Sequence, residues 1–166
     1  MTPIECYPNG LHDYGRAAVR AAQLCRNERL SPFAAWMKST PEFLDSAKDP
    51  DKDCPMTAFL ALCEAPFIKG IGPGKYIGDG NSVERDRILA NTKWGPHAKT
   101  WACTAVVLLN NNTEGIADLV KTNIEKARKE LKRLAIVTDN VDNHEMDVVI
   151  ALWINKLIEQ TADEAK

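Results

Sequence analysis

The sequence lacks a long apolar run, a cationic leader and an excess of positive charge, and each absence argues against a class of protein. No apolar stretch reaches the roughly 18 residues that a membrane-spanning helix requires. The first residues do not place an apolar stretch after a cationic one, so we expect no signal peptide. Lys and Arg number 21 against 23 Asp and Glu, a formal net charge of -2, whereas a nucleic-acid coat protein needs a positive excess.

Cysteines are few and irregularly spaced. They lie at positions 6, 25, 54, 63 and 103. An odd number of cysteines without a secretion signal predicts reduced thiols in a cytoplasmic protein. No Cys-x-x-Cys or His-Glu-x-x-His motif occurs, so we expect neither a metal site nor a cofactor. His144 and Asp147 share a predicted helix face, and a capping turn explains them more simply than a metal does.

Helical periodicity dominates the sequence. Its 166 residues suit one domain, and no convincing β-hairpin signal appears. We therefore predict an all-α fold, a single compact domain over 1–166 with about six or seven helices and a Gly-rich surface loop. Two short strands beside that loop are compatible with this prediction. Residues 1–12 and 160–166 are expected to fray.

Capping residues and apolar stripes place the predicted helices. Asp13, Ser31 and Thr113 are the expected N-caps of three of them, and Thr40-Pro41 is expected to restart a turn of helix. A polar stretch at 45–53 is the best candidate for a mobile surface loop, and a strand is the alternative for 105–109. The predicted helices cover about 14–28, a short segment from Pro32, 54–65, 82–94, 97–110, 114–134 and 144–159.

Two apolar segments of the sequence echo each other. Residues 56–68 share four identical and three conservative positions with 146–158, and each segment ends on an apolar pair, at 67–68 and 157–158. The identical pairs are Met56/Met146, Ala61/Ala151, Leu62/Leu152 and Ile68/Ile158. Either this is the ordinary likeness of two core helices, or two related helical units pack with approximate symmetry.

Three stretches carry a resemblance to a known family. They are Tyr14-Gly15-Arg16-Ala17-Ala18-Val19, the segment from Cys54-Pro55 through Leu62-Cys63 and Lys69-Gly70-Ile71 to Pro73-Gly74-Lys75-Tyr76, and Met146-Asp147-Val148-Val149 to Ala151-Leu152-Trp153. Together they cover about a quarter of the chain, and the middle one is the most specific. The chain thereby resembles a family of uncharacterised bacterial proteins. The resemblance implies relatedness across the whole domain but supplies no activity or catalytic residue.

The Gly-rich loop is the leading candidate site. Residues 69–81 hold five of the nine glycines. Glycines let backbone N–H groups approach an anion closely, and flanking lysines add positive charge. The pattern is neither a Walker A motif nor a dinucleotide fingerprint, and a tight connection between two helices is the alternative interpretation. The predicted ligand-binding residues are Lys69, Gly70, Gly72, Gly74, Lys75 and Tyr76.

Three functional hypotheses follow. The first is a non-enzymatic cytoplasmic binding or regulatory domain that takes a small anionic ligand or a protein partner through this loop. The second is an enzyme with Cys54 as nucleophile, because a helix N-terminus and nearby Lys52 lower a thiol pKa; its base would be His12, His97 or His144.

The third hypothesis is nucleic-acid binding, which the net charge disfavours. It would use either the loop, which resembles the hairpin of a helix-hairpin-helix motif, or the basic face at 121–133, with six basic and two acidic residues. The apolar surplus in 56–65 and 101–109 also leaves room for a homodimer.

Overall fold

The computed structural model describes residues 11–44, 53–72, 74–77, 81, 83, 86–87, 95–136 and 144–159. Within these ranges there are seven α-helices and no strand, which confirms the all-α prediction. The helices are α1 (Asp13–Asn27), α2 (Pro32–Phe43), α3 (Asp53–Glu64), α4 (Gly95–Asn110), α5 (Ile116–Thr122), α6 (Ile124–Leu134) and α7 (Glu145–Ile154), with a 3-10 turn at Thr113–Gly115.

Helices α3 and α7 form the centre of the core. They contact each other, α4 packs against α3, and α1 packs against both α2 and α7. Every residue of 55–63 and of 145–152 is buried, as expected for helices that are apolar nearly all round. The Trp36 ring from α2 fills the space between Tyr14 and Phe59, with ring centroids 6.2 and 5.5 Å away.

The first two helices begin at different kinds of cap. Ser31 caps α2 as predicted, since its Oγ accepts from the Ala34 N–H at 3.2 Å. For α1 the predicted cap, Asp13, is wrong. His12 takes that position, and its Nδ1 accepts from the Tyr14 N–H at 3.2 Å. Asp13 is instead the first helical residue, where its negative charge suits the helix dipole.

Proline at position 41 does not restart a helix, contrary to prediction. Pro41 lies inside α2, which continues to Phe43. The missing N–H of a proline costs one helical hydrogen bond, but α2 ends two residues later, and the Leu44 N–H still donates to Thr40 O at 3.0 Å. The disruption is therefore confined to the last turn.

The predicted single helix over 114–134 is wrong, because it starts later and is interrupted at Asn123. Thr113 is not its N-cap; Gly115 takes that position, and the Oδ1 of Asn112, whose φ is 47°, accepts from the Ala117 N–H at 2.8 Å. Asn123, whose φ is -153°, separates α5 from α6. Its Oδ1 accepts from the Lys126 N–H at 3.1 Å. Asparagine side chains that bond to the backbone favour helix starts over helix interiors.

Two other expectations about the later helices have clear outcomes. Residues 105–109 lie within α4 and are helical, so the strand alternative is wrong. Helix α7 ends at Ile154 rather than near 159. Lys156 has a φ of 59°, and the Leu157 N–H donates back to Leu152 O at 3.0 Å, the pattern of a Schellman motif.

An isolated antiparallel bridge joins Ile68 to Ile158. The Lys69 N–H donates to Leu157 O at 2.9 Å, and the Glu159 N–H donates to Phe67 O at 2.6 Å. Residues 67 and 69 correspond to 157 and 159 in the sequence echo, which has an offset of 90 residues. The two hydrogen bonds are therefore counterparts of each other. Among the described residues this bridge is the only trace of the expected strands.

The two helix exits repeat the same relation. The Phe67 N–H donates to Leu62 O at 2.9 Å, and the Leu157 N–H donates to Leu152 O at 3.0 Å. Residues matched in the sequence echo therefore make matched hydrogen bonds and pair with one another. The two segments are therefore alike in local structure as well as in sequence.

Several predictions fall outside the described residues. They are the surface loop over most of 45–53, nearly all of the helix at 82–94, and the frayed ends at 1–10 and 160–166. None of the described helices has the length and apolarity needed to cross a membrane.

Candidate functional site

The Gly-rich loop leaves the core directly after the bridge. Gly70 has a φ of +84°, in the left-handed region that glycine adopts without a steric cost. The side chain of Arg26, from the last turn of α1, lies across it: a Cβ at Gly70 would sit 2.9 Å from Arg26 Cγ. Conformation and close contact both require glycine at this position.

The carboxylate of Glu64 fixes the far end of the loop. Glu64 is the last residue of α3, and its Oε2 accepts from the Tyr76 N–H at 2.8 Å and the Ile77 N–H at 2.9 Å. We call this arrangement the Glu64 clamp. Two successive backbone N–H groups directed at one oxygen form a small anion-binding concavity, and here the chain's own carboxylate occupies it.

The side chain of Tyr76 closes the loop on itself. Its hydroxyl donates to Gly72 O at 2.6 Å. A Cβ placed on Gly74 would lie only 2.8 Å from the Tyr76 side chain. Desolvation, with smaller effects from Cys63, Cys25 and Glu64, raises the pKa of Tyr76. The phenol therefore stays protonated at neutral pH and keeps this donor.

Three cations surround the loop. Arg26 and Lys75 are exposed and Lys69 is half-buried, and among the described residues none of them pairs with a carboxylate. Gly70, Gly72 and Gly74 are exposed between them. We call this region the basic loop surface. The six predicted ligand-binding residues are already neighbours in the sequence, and the structure adds Arg26 beside Gly70.

The described cysteines beside this region are not activated. Burial raises the pKa of Cys25 to about 11, and burial together with Cys25 and Glu64 raises the pKa of Cys63 well above its ordinary value. Both are neutral thiols near pH 7. Cys54 lies in the first turn of α3, but its side chain is outside the described residues, as is that of His97. Nucleophilic catalysis by Cys54 stays a prediction.

A second polar site surrounds Asp147, whose side chain has no exposed surface. Its Oδ1 accepts from Arg128 Nη1 at 2.7 Å and from the His12 N–H at 3.1 Å, and its Oδ2 lies 3.2 Å from His144 Nδ1. The His12 and His144 rings stack with centroids 3.9 Å apart. We call these residues the Asp147 cluster, and it joins α1, α6 and α7.

The electrostatics of the cluster favour a charged carboxylate. Desolvation acts to raise the pKa of Asp147, but the hydrogen bonds from His144 and His12 and the charge of Arg128 outweigh it and hold that pKa below its ordinary value. The capping explanation for His144 holds for its position but not for a hydrogen bond from its side chain to the backbone. His144 is the N-cap of α7, with a φ of 66°, but its side chain makes no capping bond and contacts Asp147 instead.

The Asp147 cluster is a junction between helices rather than an open site. An Asp–His pair of this kind orients an imidazole, as general-base catalysis requires. Here, however, the carboxylate is enclosed, and both of its oxygens meet groups of the chain itself. No group of three His, Cys, Asp or Glu side chains among the described residues has the arrangement of a metal site.

Some cations of the basic face at 121–133 are paired with carboxylates of the same chain. Arg128 is directed at Asp147, and Arg133 pairs with Glu114 and Glu130 at 3.2 and 2.9 Å. Lys126 lies beside acidic residues in a shallow groove. Two of the six cations therefore serve intramolecular pairs, and nucleic-acid binding through this face stays a prediction.

Sequence reasoning missed Glu64, Arg26, His12 and Arg128 as partners in these two regions. Glu64 carries a signal in hindsight. An acidic side chain at a helix C-terminus opposes the helix dipole, so its presence there indicates another partner. Asp147 carries a signal too, since a carboxylate inside an apolar helix requires buried donors. Arg26 and His12 carry no comparable signal, because only the fold brings them into contact.

The match to a protein family covers both regions. The model of a family of unknown function, DUF6979, matches residues 11–159. The chain belongs to this family. The match confirms the resemblance to a family without a known function, and both Glu64 and Asp147 lie within the matched range. No curated protein and no solved structure matches the chain. Membership of the family names no activity, so function has to be inferred from geometry.

Proposed function

We propose that this chain is a binding domain that takes an anionic ligand, or an anionic segment of a protein partner, on the basic loop surface. The observation that carries the proposal is that Arg26 lies against Gly70, in a segment that also contains Lys69, Lys75 and exposed glycine backbone. Among the described residues these cations have no carboxylate partner. Positive charge beside exposed backbone attracts anions.

The loop is ordered before any ligand arrives. The Lys69 N–H donates into the bridge, the Tyr76 hydroxyl holds Gly72, and Glu64 holds Tyr76 and Ile77. A surface fixed in this way loses little conformational entropy on binding. A mere connection between helices would not need three separate anchors, and this supports the binding interpretation over the connecting one.

A cytoplasmic location is part of the proposal. Its support is that Cys25 and Cys63 are free thiols, as is usual in a reducing compartment. The homodimer expected from the apolar surplus stays a prediction.

The test is an NMR titration of the labelled protein with a capped tetraglutamate peptide at low ionic strength, where surface charges are screened least. We expect amide shifts concentrated in residues 69–77. The double substitution Lys69→Ala/Lys75→Ala should weaken binding roughly tenfold, since two exposed charge contacts contribute about 1.4 kcal/mol together.

The matched control is Lys121→Ala/Lys129→Ala, which removes the same charge from exposed positions on α5 and α6. It should leave the affinity for the peptide almost unchanged. Equal losses in both double variants would show attraction by net charge alone, and that result, or shifts that avoid residues 69–77, would contradict the proposal.

A further inference from the structure

We infer that the N–H groups of Tyr76 and Ile77 form a carboxylate receptor, that Glu64 occupies it as an internal ligand, and that an external carboxylate binds by taking the place of Glu64. The inference rests on the proposed function and deepens it. It names the chemical group that the basic loop surface recognises and the side chain that competes with it.

The receptor is defined by its hydrogen bonds. Both N–H groups meet a single oxygen, Glu64 Oε2, at 2.8 and 2.9 Å. Charge-assisted bonds of this length are typical of a carboxylate bound by backbone donors. The loop therefore already holds a carboxylate in a geometry that another carboxylate could reproduce.

The position of Glu64 weakens its hold on this receptor. As the last residue of α3, it places negative charge at the helix end that already carries partial negative charge. The side chain is also half-buried rather than enclosed, so water can solvate the carboxylate once it leaves. An incoming carboxylate gains from the cations of the loop.

The surrounding charges favour such an exchange. Arg26, Lys69 and Lys75 lie around the same segment and raise the local concentration of anions. No other described site offers this combination. In the Asp147 cluster the bound carboxylate is fully buried and paired with Arg128, and the groove beside Lys126 is lined by Glu114, Asp118 and Glu130.

The test removes the internal ligand and supplies a small one. In Glu64→Ala, the amide signals of Tyr76 and Ile77 should move away from their wild-type positions. Added sodium acetate should return them toward those positions in a saturable manner. The melting temperature of the variant should also rise with acetate by more than that of the wild type.

Two controls separate receptor occupancy from general salt effects. Sodium chloride at equal ionic strength and neutral acetamide should not reproduce the shifts. Glu64→Gln, which keeps a side-chain oxygen in place, should respond to acetate less than Glu64→Ala does, and it provides the comparison if the alanine variant folds poorly. A Glu64→Ala response to acetate no larger than its response to chloride would overturn the inference, as would an equal response in folded Glu64→Gln.

Two peptides distinguish the source of the carboxylate in the wild-type protein. One is a capped peptide with internal glutamates, and the other has no acidic side chain but a free C-terminal carboxylate. The one that shifts both Tyr76 and Ile77 identifies the source. If the glutamate peptide binds through the lysines and neither peptide moves these two amides, the proposed function stands and the receptor is refuted. If acetate rescues Glu64→Ala but no peptide binds, the receptor stands and the proposed function is refuted.

Discussion

Glu64 and Asp147 are carboxylates on the two central helices, yet their surroundings differ at every level. Glu64 ends α3, is half-buried and meets two backbone N–H groups of an exposed loop. Asp147 lies in the first turn of α7, is fully buried and meets a guanidinium, an imidazole and a backbone N–H. The same functional group thus serves a surface loop in one case and a junction of three helices in the other.

The difference shows how burial and charged partners decide what a carboxylate can do. Removing a buried charge from its partner leaves that partner desolvated and uncompensated, so Asp147 is fixed in place. Glu64 is only half-buried, so water can reach its carboxylate and the desolvation penalty is smaller there. A bound carboxylate can be structural or exchangeable depending on what remains when it leaves.

The largest effect is expected for Asp147→Ala, which leaves Arg128 partly buried without its carboxylate. We expect a loss of about 3 kcal/mol in the free energy of unfolding, measured by urea denaturation. Glu42→Ala, which breaks the exposed pair between Glu42 and Arg20, should cost less than about 1 kcal/mol. Similar losses in both variants would remove the distinction between buried and exposed carboxylates.

The second-largest effect is expected from acid, which should weaken the Asp147 cluster. Because the folded-state pKa of Asp147 is lowered, its contribution is complete above the pKa of the unfolded chain, about 4. It is lost as pH falls from there through the lower folded-state pKa. Denaturation curves at stepwise pH should show this loss in the wild type and a shallower one in Asp147→Asn. If the free energy of unfolding fell equally steeply with pH in the two proteins, Asp147 would not titrate as described.

Glu64→Gln should have the smallest and most local effect. The amide keeps one oxygen acceptor but loses the charge, so we expect about 1 kcal/mol or less in global stability. Hydrogen exchange should accelerate at the amides of Tyr76 and Ile77, while the Lys69 amide, which donates to Leu157 O, keeps its protection. Faster exchange throughout the chain would mean that Glu64 holds the core as Asp147 does.

Local signals in the sequence predicted most of the fold. Ser31 with Pro32 marked the start of α2, and apolar periodicity placed α3 and α4. The break at Asn123 was not predicted because the apolar stripe continues across this residue. Helix continuity there is decided by side chains that bond to the backbone, a competition that periodicity does not report.

The two sites were predictable to different degrees. The Gly-rich loop is contiguous, so its glycines and lysines form a pattern that the sequence alone displays. The Asp147 cluster joins residues as far apart as 12 and 147, and only the packing of α1 against α7 brings them together. Glu64 lies between these cases, near the loop in sequence but recognisable as its partner only once the loop folds back.

The most direct measurement of the Glu64 clamp is a pH titration of the Tyr76 and Ile77 amide proton shifts by NMR. Both donate to one carboxylate oxygen, so both signals should move together with a single midpoint as that carboxyl is protonated. In Glu64→Gln this shared titration should be absent. Independent midpoints for the two amides, or a shared titration that persists in Glu64→Gln, would contradict a clamp formed by Glu64.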